Sequence, residues 1–285
     1  YRSSEPWAQA GWNDVLQAGA EGDIEPRFME INFNHACNLA CSYCSPHLSS
    51  KWAEDIEQNG PYPTIPYAHN SIDYFKQIDQ YPIPNREHNP YVEAFWEWWP
   101  ELYPKLQNFR MTGGEPLMDK NTFRVLDYVI DNGRDDLEMA VTTNASVPDR
   151  LWSNFVDKVS FISEYKKLKR FRVFVSVDGW GDQAEYMRHG LDFDRMWNNV
   201  HNYLTRVDEG LVTFIVTFNM LSLPSIKKLL EGILELQRVH NITKSRRDEN
   251  GKIVVYGHHK VFLDTPMLRY PHWQSLQLTP ESHWH

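Results

Sequence analysis

The sequence predicts an α/β chain built as a partial (β/α)6 TIM-like barrel, with an aromatic- and proline-rich insertion after the first strand. Three observations predict it. From residue 108 onward, short β-branched or aromatic runs alternate with longer amphipathic stretches. That order gives parallel strands joined by crossover helices. The chain has 285 residues, 41% of them hydrophobic, enough for a large core without disulfide staples. No apolar run approaches the ~18 residues of a membrane span, and no internal repeat is visible.

Residues 1–27 read as an N-terminal extension. Residues 28–34 (FMEINFN) alternate apolar and polar positions and form the first strand. A cysteine-bearing loop follows. Residues 48–104 are the insertion, too dense in proline for long regular elements. Short helices are expected near 70–79 and 90–103. The aromatics Phe95, Trp96, Trp98 and Trp99 read either as a lid over the barrel mouth or as a packed helical patch, with the second preferred.

Strands are expected at 109–111, 138–142, 171–177 and 212–218. Helices are expected at 121–131, capped by Asn121, and at 148–165, 192–208 and 225–239. Segments 252–256 and 260–263 supply the last strand or a hairpin. The barrel core spans 28–264, and 265–285 is a tail. In such a barrel, function sits at the C-terminal ends of the strands.

Charge narrows the function. The chain carries 29 basic and 38 acidic residues, a net charge of −9. Nucleic-acid binders need the opposite balance to neutralise phosphate. The basic run at 166–172 reads as the solvated end of a helix. No basic-then-apolar leader is visible, although the chain starts at Tyr1 rather than Met. The expectation is a cytoplasmic protein without a membrane partner.

The three cysteines, Cys37, Cys41 and Cys44, lie within eight positions. Disulfide scaffolds use even, dispersed sets. Crowded thiols read as metal ligands. The spacing is C-x3-C-x2-C, directly after a strand. Three thiolates on a cubane leave one iron open to a ligand. A Cys3His zinc site drawing on His35 or His47 is the alternative that these residues leave open. His258, His259, His283 and His285 lack companions at set spacing and read as surface or packing residues.

The segment Cys37-Asn-Leu-Ala-Cys41-Ser-Tyr43-Cys44 resembles the cluster loop of the radical S-adenosylmethionine (radical SAM) superfamily. Further segments match that family in order: Gly113-Gly114-Glu115-Pro116, Thr142-Thr143-Asn144, Ser176-Val177-Asp178-Gly179 with Arg188, and Thr217-Phe218-Asn219. The resemblance covers roughly residues 28–264. It implies a [4Fe-4S] cluster on Cys37, Cys41 and Cys44, with S-adenosylmethionine chelated to the open iron. Tyr43 then packs beside the adenine. Gly113, Gly114 and Glu115 hold the amino group. Asn144 faces the site. Ser176 and Arg188 bind the polar end, including the carboxylate, and Asp178 counts among the cofactor-binding residues. Thr217 and Asn219 lie under the adenine.

The chemistry so implied is reductive cleavage to a 5′-deoxyadenosyl radical, which abstracts hydrogen from a substrate. No further catalytic side chain is required for that step, and a flavodoxin- or ferredoxin-type electron donor is implied. The SVDG segment with Arg188 is in the style of the SPASM/twitch branch, so a peptide or protein substrate is expected. A small metabolite or nucleobase, or a non-catalytic iron–sulfur or zinc protein, are the alternatives. No cysteine follows Cys44, so this chain alone ligates no auxiliary cluster. Either the usual C-terminal extension is absent or the chain is a fragment.

Overall fold

The central strands of the chain, at 108–112, 137–143 and 171–176, alternate buried and half-exposed side chains, so one face of their sheet is dry and the other is wet. The computed structural model describes residues 6–61, 70–247, 252–268 and 270–280. Helix α1 (Pro6–Ala18) precedes strand β1 (Phe28–Asn32), and a two-residue strand, β2 (Ala40–Cys41), lies in the cysteine loop. Helices α2 (Ser50–Asn59), α3 (Ile72–Gln77) and α4 (Pro90–Leu102) follow. Next come β3 (Asn108–Thr112), α5 (Lys120–Asp131), β4 (Arg134–Thr143), α6 (Asp149–Glu164) and β5 (Leu168–Ser176). Then come α7 (Asp182–Met187), β6 (Arg188–His189), α8 (Phe193–Arg206), β7 (Leu211–Ile215) and α9 (Ile226–His240). Strands β8 (Ile242–Arg247), β9 (Ile253–His258) and β10 (Val261–Asp264) complete the set.

Six strands pair in the order β1-β3-β4-β5-β7-β10, every neighbour parallel. β1 and β10 are the two edges, so the sheet is an open, partial barrel rather than a closed one. Phe109, Met111, Val141, Val173, Val175 and Phe214 point into the core formed with the helices. The opposite, inner face carries half-exposed Arg110, Thr142, Arg172 and Phe174. Parallel strands need a crossover of a dozen or more residues, which α5, α6, α8 and α9 supply as expected.

The first crossover differs from a simple insertion. α4 starts at Pro90, with the Asn89 side chain accepting from Tyr91 N–H; proline is well placed in a first helical turn. Its Phe95 and Trp99 are buried, and the Trp99 ring lies 4.9 Å from that of Phe109 on β3. Phe95, Trp96 and Trp99 are therefore a core patch, while Trp98 is exposed. α4 is the crossover helix between β1 and its neighbour β3.

Other expectations need correction. The cap of α5 is Asp119, whose Oδ1 accepts from Asn121 N–H at 2.6 Å, so Asn121 sits inside the helix. The basic run at 166–172 is not a helix end. α6 stops at Glu164 and β5 begins at Leu168, which puts Arg172 on the inner face. Of the C-terminal alternatives the last strand occurs, as β10 beside β7, whereas 252–256 and 260–263 do not pair as a hairpin: β9 pairs antiparallel with β8, which the sequence did not announce. Of the four histidines set aside above, His283 and His285 lie outside the described residues.

Candidate active site at the cysteine loop

The loop that carries Cys37, Cys41 and Cys44 leaves the C-terminal end of β1 and is tied down on every side. All three thiols are free. The short strand β2 pairs antiparallel with β6, setting Cys41 opposite Arg188. α2 closes one flank. Its cap Ser49 donates to Leu39 C=O at 2.8 Å, Ser50 Oγ accepts from Cys37 N–H at 3.2 Å, and Trp52 Nε1 donates to Cys41 C=O at 2.7 Å. On the other flank, Asn38 donates to Ser146 C=O at 3.0 Å and accepts from Asn144 Nδ2 at 2.8 Å. The tail reaches back as well. Gln274, almost fully buried, accepts from Ser42 Oγ at 3.3 Å and donates to Ser42 C=O at 3.1 Å.

The two glycines of GGEP face chain, not open space. A Cβ on Gly113, whose φ is +124°, would lie 2.0 Å from Asn32 Oδ1. One on Gly114 would lie 2.3 Å from Ala36 C=O. Backbone contact this close is the reason for glycine here. Glu115 N–H donates to Ala36 C=O at 2.6 Å, so the turn after β3 clamps the residue before Cys37. The Glu115 carboxylate is buried and accepts from Leu117 N–H at 3.0 Å, Thr143 Oγ1 at 2.7 Å and Asn144 N–H at 2.7 Å. Burial pushes its pKa up to about 7, against those three donors.

Asp178 is fully buried at the turn after β5. It accepts from Thr217 N–H, Tyr43 OH and Arg188 Nε, each at 2.8 Å. Arg188 also donates through Nη2 to Tyr43 OH and faces Cys41 Sγ through Nη1 at 3.5 Å. Every nitrogen of this guanidinium thus meets a group of the chain. The sequence placed it on a cofactor carboxylate; its own neighbours are Asp178, Tyr43 and Cys41. Asn219, also buried, caps the turn at 220–222 and donates to Thr217 C=O at 2.9 Å. Ser176 is half-buried at the end of β5.

The thiols lie in a dry place that raises their pKa, Cys37 to about 12, chiefly by burial. Burial likewise raises Cys41 and Cys44, and each is raised further by neighbouring thiols or by Asp178. Leu39 N–H points at Cys37 Sγ at 3.4 Å, as Arg188 does at Cys41. Such donors suit thiolates in a metal site, where sulfur must shed its proton. His47 is engaged with Ser45 Oγ at 2.7 Å, and His35 is buried with an unpartnered Nδ1. Among the described residues no group of three His, Cys, Asp or Glu side chains is already arranged around a single ion, the three thiols included.

A family model described as the radical SAM superfamily matches residues 31–233. The chain belongs to the radical SAM superfamily. No curated protein matches it significantly. Among solved structures, "Native anSMEcpe with bound AdoMet" is similar at 16% identity, over 86% of this chain and 52% of that one, with a TM-score of 0.46. Streptococcus suis SuiB is similar at 14% identity, over 80% of this chain and 42% of that one, with a TM-score of 0.49. SuiB bound to its precursor peptide SuiA gives a TM-score of 0.47. The radical SAM chain described here spans about half the length of these solved relatives.

The structure brings Cys37, Cys41, Cys44, Tyr43, Asp178 and Arg188 together directly. Gly114 and Glu115 join them through the backbone of Asn34 and Ala36, and Asn144 through the side chain of Asn38. Four supports were missed: Asn38, Ser49, Trp52 and Gln274. Asn38 lies inside the cysteine motif, and Ser49 is a plain N-cap signal before KWAED. Gln274 had no local signal at all.

Proposed function

We propose that this chain is a radical SAM enzyme that holds a [4Fe-4S] cluster on Cys37, Cys41 and Cys44, cleaves S-adenosylmethionine reductively, and abstracts hydrogen from a peptide or protein substrate. The observation that carries it is the cysteine loop. Its three thiols sit at the C-terminal end of a parallel sheet, with N–H donors already aimed at two of the sulfurs. The donor set fits the cluster, since three thiolates leave the fourth iron for a substrate ligand. When bound, the cluster and S-adenosylmethionine supply one-electron cleavage to a 5′-deoxyadenosyl radical.

The chain's own residues hold and shield that centre. Arg188 places positive charge against Cys41, which favours the thiolate over the thiol. Asp178 compensates that charge and positions Tyr43. Glu115 fixes the turn after β3 against the turn after β4, so Asn144 and the 113–115 backbone line the site. Ser176, Thr217 and Asn219 stand at the ends of β5 and β7, where the cofactor's adenine and carboxylate are assigned. The electron comes from a donor of the flavodoxin or ferredoxin type. The SVDG segment with Arg188 supports the peptide substrate.

Anaerobic reconstitution tests this. The expected product is a brown protein with a broad band near ~400 nm that releases 5′-deoxyadenosine under dithionite. A colourless protein holding one stoichiometric zinc overturns it. Cys41→Ala is expected to abolish iron binding and cleavage together.

A further inference from the structure

A closed barrel fills its interior with apolar side-chain layers; the inner face of this open sheet carries cations. Arg110 on β3 and Arg172 on β5 occupy one row, on either side of Ala140. The small methyl of Ala140 leaves the space between them clear. With strands ~4.8 Å apart, their backbones lie ~10 Å from each other. Both side chains run toward the C-terminal ends of the strands. Arg110 donates to Thr142 Oγ1 through Nε at 3.0 Å and Nη2 at 2.8 Å, and its guanidinium lies 4.1 Å from the Phe174 ring centre. Arg172 donates to Thr213 Oγ1 at 2.7 Å and lies 5.8 Å from Phe174 and 4.9 Å from Phe262. Phe174 therefore stands between two guanidiniums.

Their negative partners are incomplete. Arg110 has Glu30 at 3.6 Å, and Asp264 acts on it from a distance. Among the described residues no carboxylate forms an ion pair with Arg172. Glu138 acts on it from a distance but is paired with Lys169 at 2.9 Å. A cavity of about 140 Å³ lies below the two guanidiniums, toward the N-terminal ends of the strands, lined by Phe28, Asn108, Glu138 and Arg170 together with Arg110, Arg172 and Phe174. Positive charge dominates it, in a chain whose net charge is −9. Burial weakens the hydration of both guanidiniums and lowers their pKa, yet arginine stays charged. A half-buried cation with free N–H groups is completed by an anion, and a guanidinium fork matches the two oxygens of a carboxylate.

We propose that Arg110 and Arg172 form a carboxylate subsite on the inner face of the barrel, which takes an acidic side chain of the substrate over Phe174. This rests on the reading of the chain as a radical enzyme acting on a peptide, and it adds a substrate class to that reading. Phe174 is two residues below Ser176, roughly 7 Å along the strand.

The test is anaerobic isothermal titration of the cluster-loaded protein with Ac-Ala-Glu-Ala-NH2, with Ac-Ala-Gln-Ala-NH2, and with inorganic phosphate. The Glu peptide is expected to bind about tenfold more tightly than the Gln peptide, a charge-assisted bond being about twice as strong as a neutral one. That preference is expected to vanish in Arg172→Gln and to shrink in Arg172→Lys, which keeps the charge but not the fork. No preference in the parent, a preference that survives in Arg172→Gln, or binding of phosphate alone overturns the proposal. The parent comparison decides even if a variant does not fold. The titration needs no turnover. S-adenosylmethionine cleavage without the preference sinks the subsite alone, whereas absence of cleavage sinks the functional reading.

Discussion

Asp178 and Arg188 form an ion pair at 2.8 Å with both side chains almost wholly buried, against the sulfur of Cys41. A buried pair adds little net stability, because desolvation cancels most of the attraction; breaking it leaves an uncompensated charge. Asp178→Ala is therefore expected to cost about 3–5 kcal/mol in urea unfolding. The double variant Asp178→Leu with Arg188→Met is expected to cost clearly less. If the double variant is the weaker of the two, the pair contributes more than this account allows.

Gly114→Ala is expected to destabilise by roughly 1–3 kcal/mol, the usual range for overpacking. Its Cβ would meet backbone atoms of His35 and Ala36, which cannot swing away as a side chain does. The same displacement moves the residue before Cys37. Iron bound per chain after reconstitution should fall with stability, and full loading of a destabilised variant would separate the two.

Gln274 bonds to both polar groups of Ser42 from 232 residues away in sequence. Gln274→Ala leaves a buried donor and acceptor to find other partners, at about 1–3 kcal/mol. The loaded variant is expected to take up iron but to lose its colour faster in air than the parent. Gln274→Glu, which keeps an acceptor and loses the donor, should fall between them. Equal bleaching rates for all three proteins would show that the tail does not shield the loop.

His240 predicts a pH dependence away from the site. Its Nε2 lies 2.8 Å from His201 Nδ1. Burial, His201 and Lys260 lower its pKa from 6.5 to about 4. The folded pKa is below the unfolded one, so this contribution to stability is intact above the unfolded value. It drains as pH falls from 6.5 toward about 4, because only the unfolded chain takes up the proton in that range. Urea midpoints at roughly pH 7.5 and roughly pH 5 should drop more for the parent than for His240→Gln.

The alternating strands and the cysteine spacing were legible because both are local. Each strand's apolar face repeats every second residue, and a cluster loop is read from eight positions. The helix at 90–103 and its aromatic packing were legible too; its role as the crossover from β1 to β3 was not, since that is set by the contact of Trp99 with Phe109. Nor was the steric crowding of Gly113 and Gly114 by residues 32–36, which leaves no room for a side chain at either position. The basic run at 166–172 misled because charge alone does not tell a solvated helix end from a strand edge facing a lumen. Gln274 illustrates the general limit. A contact that closes over most of the chain leaves no mark on its neighbours in sequence.

The stretch between the cysteine loop and β3 is pinned at both ends, by Ser49 and Trp52 at one and by Trp99 on Phe109 at the other. Between such anchors, doubling the length of a connection adds only about 0.6 kcal/mol of closure entropy. The stretch is nonetheless no idle spacer: Ile72 of α3 packs with Trp52 and with Ala40 of the cysteine loop, and the Phe75 ring lies 4.0 Å from that of His47, so a segment grafted between α2 and α4 keeps the thiols in place only if it leaves α3 seated.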